Sequence, residues 1–185
     1  MAVLNQAGRR WPRWGRLSPI LLVFWMAAAA RAQVDEYQVK AAFLYNFAKF
    51  VDWPARAFHS QEEPIAICTL GSNPFGDALD RVVNGKTAGG RPLLARHVAD
   101  APSPSDCHIL FASDLKKFRA IAPRLRGTAV LTVGESPEFI AAGGMINFKI
   151  EGGRIRFEIN VQAVEQGQIH ISSKLLSLAE VVKQP

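Results

Sequence analysis

The sequence predicts an α/β fold: a largely parallel central sheet flanked by helices, with an antiparallel β-hairpin towards the C-terminus. Three observations carry this expectation. Short, continuously apolar runs at 65–70 (IAICTL), 107–112 (CHILFA) and 128–133 (TAVLTV) are separated by helix-like segments, the pattern of strands buried on both faces and joined by crossovers. An apolar stripe of helical period spans 35–51. Two alternating runs flank Gly152-Gly153, a two-residue turn in which both positions tolerate positive φ.

The first segment, 1–32, stands apart. The 185 residues carry a formal net charge of +6, and five arginines with no acid in 1–32 supply almost all of it. Arg9 to Arg16 form a basic region, 17–30 an apolar one (LSPILLVFWMAAAA), and Ala30-Arg31-Ala32 a small-residue site. These are the parts of a signal peptide cleaved after Ala32. The apolar stretch is shorter than the roughly 20 residues of a membrane span. Residues 33–185 hold 17 bases against 16 acids, so nucleic acid is not an expected partner of the exported chain. Its length suits a single domain.

Each element then follows in order. Over 35–51, Tyr37, Ala41, Leu44, Ala48 and Val51 form the stripe, widened by Phe43, Phe47 and Phe50, while Lys40, Asn46 and Lys49 take the wetter side. Trp53-Pro54 ends the helix. A strand at 65–70, a turn at 71–75, a helix at 76–83 and a weaker strand at 92–98 come next. A strand at 107–112 leads into a helix at 114–125 capped by Asp114 or Ser113. A strand at 128–133 and a short helix at 136–142 precede Gly143-Gly144. In the hairpin, 145–151 against 154–160, the turn sets Ile150 opposite Ile155, Phe148 opposite Phe157 and Ile146 opposite Ile159. Lys149, Glu151, Arg154, Arg156 and Glu158 fall on the other, wet face. Helices at 161–165 and 173–182 close the chain.

Motifs for catalysis are weak, and no catalytic residue and no cofactor is assigned. Gly71 to Gly76 has the spacing of a phosphate loop but is followed by Asp77 and Ala78, where lysine and a hydroxyl residue are needed. Ser172-Ser173-Lys174 is a helix N-cap rather than a serine–lysine nucleophile. His59, His97, His108 and His170 are scattered singly, which gives no metal-ligand spacing. Cys68 and Cys107, alone in an exported chain, are a candidate disulfide across a loop of roughly 40 residues, worth about 4 kcal/mol in the chain-entropy model. Simple parallel pairing offsets them, however, so bridging needs a shifted strand or a different boundary for the 107–112 strand.

The run Lys40-Ala-Ala-Phe-Leu-Tyr-Asn-Phe-Ala-Lys-Phe-Val-Asp-Trp-Pro54 closely resembles the opening of the YfiR family of bacterial periplasmic proteins. The resemblance continues through Ile65-Ala-Ile-Cys-Thr-Leu-Gly71, the 145–160 hairpin and Ser172-Ser-Lys-Leu-Leu176, covering about residues 36 to 180. It implies an α/β domain able to form a homodimer, and a stabilising Cys68–Cys107 disulfide. It also implies a non-enzymatic repressor that binds the sensor domain of an inner-membrane diguanylate cyclase, lowers cyclic di-GMP and biofilm formation, and is itself sequestered by an outer-membrane-associated lipoprotein. Some members carry a second cysteine pair ahead of the hairpin; this chain has none at 142–152. Candidate partner contacts are Arg154, Arg156 and Glu158 on the hairpin, with Gln166, Gln168 and His170 beyond it. The alternative is a periplasmic small-ligand-binding domain with its crevice at the 71–75 and 134–137 loops, where strand C-termini in α/β sheets open.

Overall fold

The computed structural model describes residues 36–99, 103 and 106–182. The expected signal peptide, 1–32, lies outside the described residues. From residue 36, helix α1 runs to residue 50. Strand β1 (Val51–Asp52), a 3₁₀ turn (Ala55–Ala57), β2 (Ile65–Leu70), α2 (Ala78–Val83), β3 (Thr87–Ala88) and β4 (Arg91–Val98) follow. Next come β5 (Ile109–Ala112), α3 (Leu115–Leu125), β6 (Leu131–Gly134), β7 (Ile146–Glu151) and β8 (Arg154–Asn160). The chain continues through α4 (Val161–Gln166), β9 (His170–Ile171), α5 (Ser173–Leu176) and β10 (Glu180–Val182).

Among the described residues the main sheet has eight strands in the order β10-β8-β7-β6-β5-β2-β4-β3. The run β4-β2-β5-β6-β7 is parallel. The β7–β8 hairpin is antiparallel in the register that the turn dictates, Phe148 opposite Phe157 and Ile146 opposite Ile159, with Gly152 and Gly153 at φ 56° and 72°. Alternation along the inner strands divides two buried clusters. Ile65, Ile67, Ile109 and Phe111 meet Leu44 and Phe47 of α1 and Leu79 of α2 on one face. Ala66, Cys68, Leu70, Leu110 and Ala112 meet Phe118, Ile121 and Leu125 of α3 on the other. That double burial explains why β2 and β5 are apolar at every position or nearly so. Asp114 caps α3, accepting from the amides of Lys116 and Lys117 at 2.8 and 3.1 Å. Ser172 caps α5, accepting from the Leu175 amide.

Three expectations are corrected. Residues 173–182 do not form one helix. It stops after Leu176, and Glu180–Val182 turn into β10 alongside β8. The free edge of β8 offers a ladder to the β-branched pair Val181-Val182, which gains more there than in a helix. Residues 136–142 form turns wrapped around Phe139 rather than a helix. The strand expected at 107–112 begins at Ile109, so Cys107 lies in the preceding bend and is free to fold back towards Cys68. Their Cα atoms are 5.8 Å apart and the disulfide is formed, which removes the register difficulty. No helix of the described residues is long and apolar enough to cross a membrane.

Candidate functional site

The parallel strands end in a cavity of about 650 Å³. It lies between the first turn of α1, the loop after β6 and strand β7. The loop is shaped by Phe139. This ring is fully buried and packs on Phe118 with centroids 4.2 Å apart, and a Cβ placed on Gly134 or Gly144 would meet it at 2.2 Å. Glycine at both positions lets the loop close around the ring, and Glu135 is thereby held over the start of α1.

Lys40, expected on the wet side of the helix, is instead only 4% exposed. Its ammonium is bound by the Glu36 carboxylate one turn earlier and by Glu135 Oε2 at 2.6 Å. The Tyr37 hydroxyl donates to Glu135 Oε1 at 3.0 Å. Burial, then the negative charge of Glu135, pushes the Tyr37 phenol well above its ordinary range, so it remains a donor. The correction has a plain physical reason: a lysine can enter an apolar surface when paired carboxylates replace its hydration. One of those partners, Glu135, lies 95 residues away in the chain, where helical periodicity has no reach.

On β7, Asn147 lines the same cavity and is 2% exposed. Its Nδ2 donates to Glu158 Oε1 at 3.1 Å, while its Oδ1 is buried with no donor. The carboxylate fixes which end of the amide is which, because only the NH₂ can face it. Lys149 is tied to Glu151 at 3.1 Å, to Glu158 at 3.7 Å and to Glu180 of β10. Donating to Glu180 and Glu151 raises its ammonium above the usual lysine range.

The opposite end of the sheet is built from different chemistry. His108, 3% exposed, accepts from the Ala66 amide through Nδ1 at 3.1 Å, and its Nε2 lies 3.0 Å from the Ala57 carbonyl. An N–H donor at Nδ1 leaves the proton on Nε2, so the ring is neutral. Desolvation lowers its pKa, opposed by the Ala57 hydrogen bond. Phe58 stacks on this ring at 4.4 Å and Arg91 lies 3.6 Å over Phe58. Arg91 also donates to the carbonyls of Ser60 and Glu63. Together these contacts pin the segment between β1 and β2 beside the Cys68–Cys107 bridge.

The six candidate contacts do not form one surface. Arg154 and Arg156 are exposed beside the hairpin turn, with Glu151 and Lys149 as their cross-strand neighbours. Glu158 is half-buried, turned to Asn147 and Lys149. Gln166 and Gln168 are exposed near the other end of β8, roughly 20 Å along the strand. There Arg56 donates to Gln168 Oε1 and to the Gly167 carbonyl, and exposed His170 pairs with Asp52 in the β1–β9 ladder. Of the two loops expected to form a crevice, the one after β6 lines the cavity through Glu135, Ser136 and Pro137; 71–75 does not. Among the described residues no group of three or more His, Cys, Asp or Glu is placed to hold a metal ion.

A family model described as YfiR/HmsC-like matches residues 37–180. The chain belongs to that family. The match spans everything from the first turn of α1 to the start of β10, both ends of the sheet included. For a YfiR/HmsC-like protein a periplasmic, regulatory and non-catalytic role in diguanylate cyclase signalling is the coarse reading that membership supports.

Proposed function

We propose that this YfiR/HmsC-like protein is exported, loses 1–32 and acts in the periplasm as a repressor. It binds the periplasmic sensor domain of an inner-membrane diguanylate cyclase and holds the enzyme in its inactive state. The observation that carries the reading is the family match over 37–180, supported by the unbroken run from Lys40 to Pro54. The physical requirement is differential affinity: the repressor shifts the cyclase only as far as it prefers the inactive sensor over the active one. A rigid, doubly covered sheet with a covalent staple suits that task, because little ordering entropy is lost on docking.

Two exposed groups are the proposed contacts: Arg154 and Arg156 beside the hairpin turn, and Gln166, Gln168 and His170 at the far end, with Glu158 steadying the hairpin from within. An outer-membrane-associated lipoprotein competing for one of these surfaces releases the cyclase, and a homodimer occupying one of them sets how many sensors a single assembly can hold. The test is capture from solubilised membranes with the tagged exported protein, together with cellular cyclic di-GMP in a deletion strain. A membrane cyclase in the eluate and raised cyclic di-GMP on deletion support the reading; absence of both overturns it.

A further inference from the structure

Residues 33–185 are close to neutral as a whole, but their charge is not evenly spread. Between Asp114 and Glu135 the chain carries five cations, Lys116, Lys117, Arg119, Arg124 and Arg126, and no acid. The rest of 33–185 holds 12 bases against 16 acids. Helix α3 gathers the cations on one face. Phe118, Ile121, Ala122 and Leu125 are buried against the sheet, and at about 100° per residue Lys116, Arg119 and Arg124 project from the opposite side. All five cations are exposed, and the exposed side chains between them are those of Ala120 and Pro123. Pairing does not explain the pattern: among the described residues none of the five meets a carboxylate. Only the Lys117 ammonium has a hydrogen-bond partner, the Ala99 carbonyl at 3.2 Å. Helix stability does not explain it either. Lys116 and Lys117 in the first turn oppose the helix dipole, and Lys116 and Arg119, three residues apart, repel each other.

We infer that the outer face of α3 holds the protein electrostatically to bilayers rich in anionic phospholipid. Like charge gathered at a cost to the helix, on a chain with acids to spare elsewhere, complements an anionic surface. The side chains present decide which surface. An interface with a folded protein rests on aromatic or large apolar anchors and is poor in lysine. This face instead offers a row of cations about 15 Å long, with only alanine and proline between them. A bilayer requires no anchor and supplies negative charge all along the row. The apolar side of α3 stays in the core, so the contact is peripheral, reversible and screened by salt. The face stands on its own charge pattern and does not rest on the repressor reading, so the failure of either leaves the other intact.

The test is flotation of the oxidised, exported protein with vesicles of phosphatidylcholine, either pure or with about one lipid in three replaced by phosphatidylglycerol. Binding to the mixed vesicles is expected, roughly tenfold weaker or more on pure phosphatidylcholine and when ionic strength rises from about 0.05 to about 0.5 M. Each cation near an anionic surface contributes about a fivefold gain, so Lys116→Glu/Arg119→Glu/Arg124→Glu is expected to weaken binding by about a hundredfold. Glutamate in the first turn suits the helix dipole, and an unchanged circular dichroism spectrum checks that this variant is folded. Arg119→Gln/Arg124→Gln, which only removes charge, is expected to fall between it and the wild type. Lys49→Glu/Lys86→Glu/Lys174→Glu makes the same change of net charge at exposed sites outside α3 and is expected to stay within about fivefold of the wild type. Equal binding to both vesicle types, equal loss in the two charge-reversed variants, or unchanged binding in Arg119→Gln/Arg124→Gln overturns the proposal. Tighter binding to poly-L-glutamate than to the mixed vesicles also overturns it and assigns the face to an acidic protein.

Discussion

The two ends of the central sheet are held by opposite means. At the N-terminal end a disulfide and a neutral, fully hydrogen-bonded histidine fix the chain, and Phe58 and Arg91 stack over that ring. At the C-terminal end the same fold is closed by charge: a buried lysine between two glutamates, and a second lysine among three. Among the described residues each end also keeps one buried side-chain polar atom without a partner, the Trp53 indole N–H at the first and Asn147 Oδ1 at the second. The contrast shows one sheet secured by covalent and neutral contacts at one end and by ion pairs at the other. Covalent and neutral contacts are insensitive to salt, whereas partly exposed ion pairs are screened by it.

Breaking each end in turn sharpens the comparison. The largest effect belongs to the staple: the Cys68→Ala/Cys107→Ala double variant is expected to lose about 4 kcal/mol of unfolding free energy, measured by urea titration against the oxidised protein. A loss below about 1 kcal/mol would show that the bridge is not what secures that end. Next is Lys40→Ala, which strands Glu36 and Glu135 beside an apolar core. About 3 kcal/mol is expected, at the lower end of the range for a buried pair because both carboxylates retain some exposure. Gly134→Ala follows at about 2 kcal/mol, since the new methyl meets the Phe139 ring at 2.2 Å and lifts Glu135 off Lys40.

The histidine gives a smaller, pH-dependent effect whose sign is fixed by its environment. Its folded pKa is depressed, so below the unfolded value of about 6.5 the unfolded chain takes up a proton that the folded chain refuses. Stability from this source is complete above that pH and is lost as pH falls towards the folded value, at up to about 1.4 kcal/mol per pH unit. Urea titrations between about pH 7 and 5.5 are expected to show this slope in the wild type and a shallower one in His108→Asn. Arg154→Ala and Arg156→Ala complete the series with changes within about 0.5 kcal/mol; their expected effect is on capture of the membrane partner.

How much of this was legible in the sequence divides along the same line. Local patterns carried far: the apolar runs of β2 and β5, the Asp114 and Ser172 caps, and the hairpin register imposed by Gly152-Gly153 each depend on neighbours a few residues away. The cysteines were visible as a pair, and only the bend before Ile109 hid how they meet. The C-terminal cavity was mostly invisible. Lys40 at helical spacing looks solvent-facing, and nothing near it announces Glu135. Likewise β10 depends on a free edge that exists only once β8 is in place. Short strands such as β1 and β9, two residues each, carry no periodicity to detect. The six proposed contacts were drawn from one stretch of chain, whereas the hairpin and the return through α4 place them at two ends.

The most direct test of the regulatory account is cellular cyclic di-GMP in three strains: intact, deleted for this protein, and deleted but complemented with the exported wild-type chain. The account predicts a several-fold rise on deletion that complementation reverses, with complementation by the Cys68→Ala/Cys107→Ala form less effective. Equal cyclic di-GMP in all strains would contradict it.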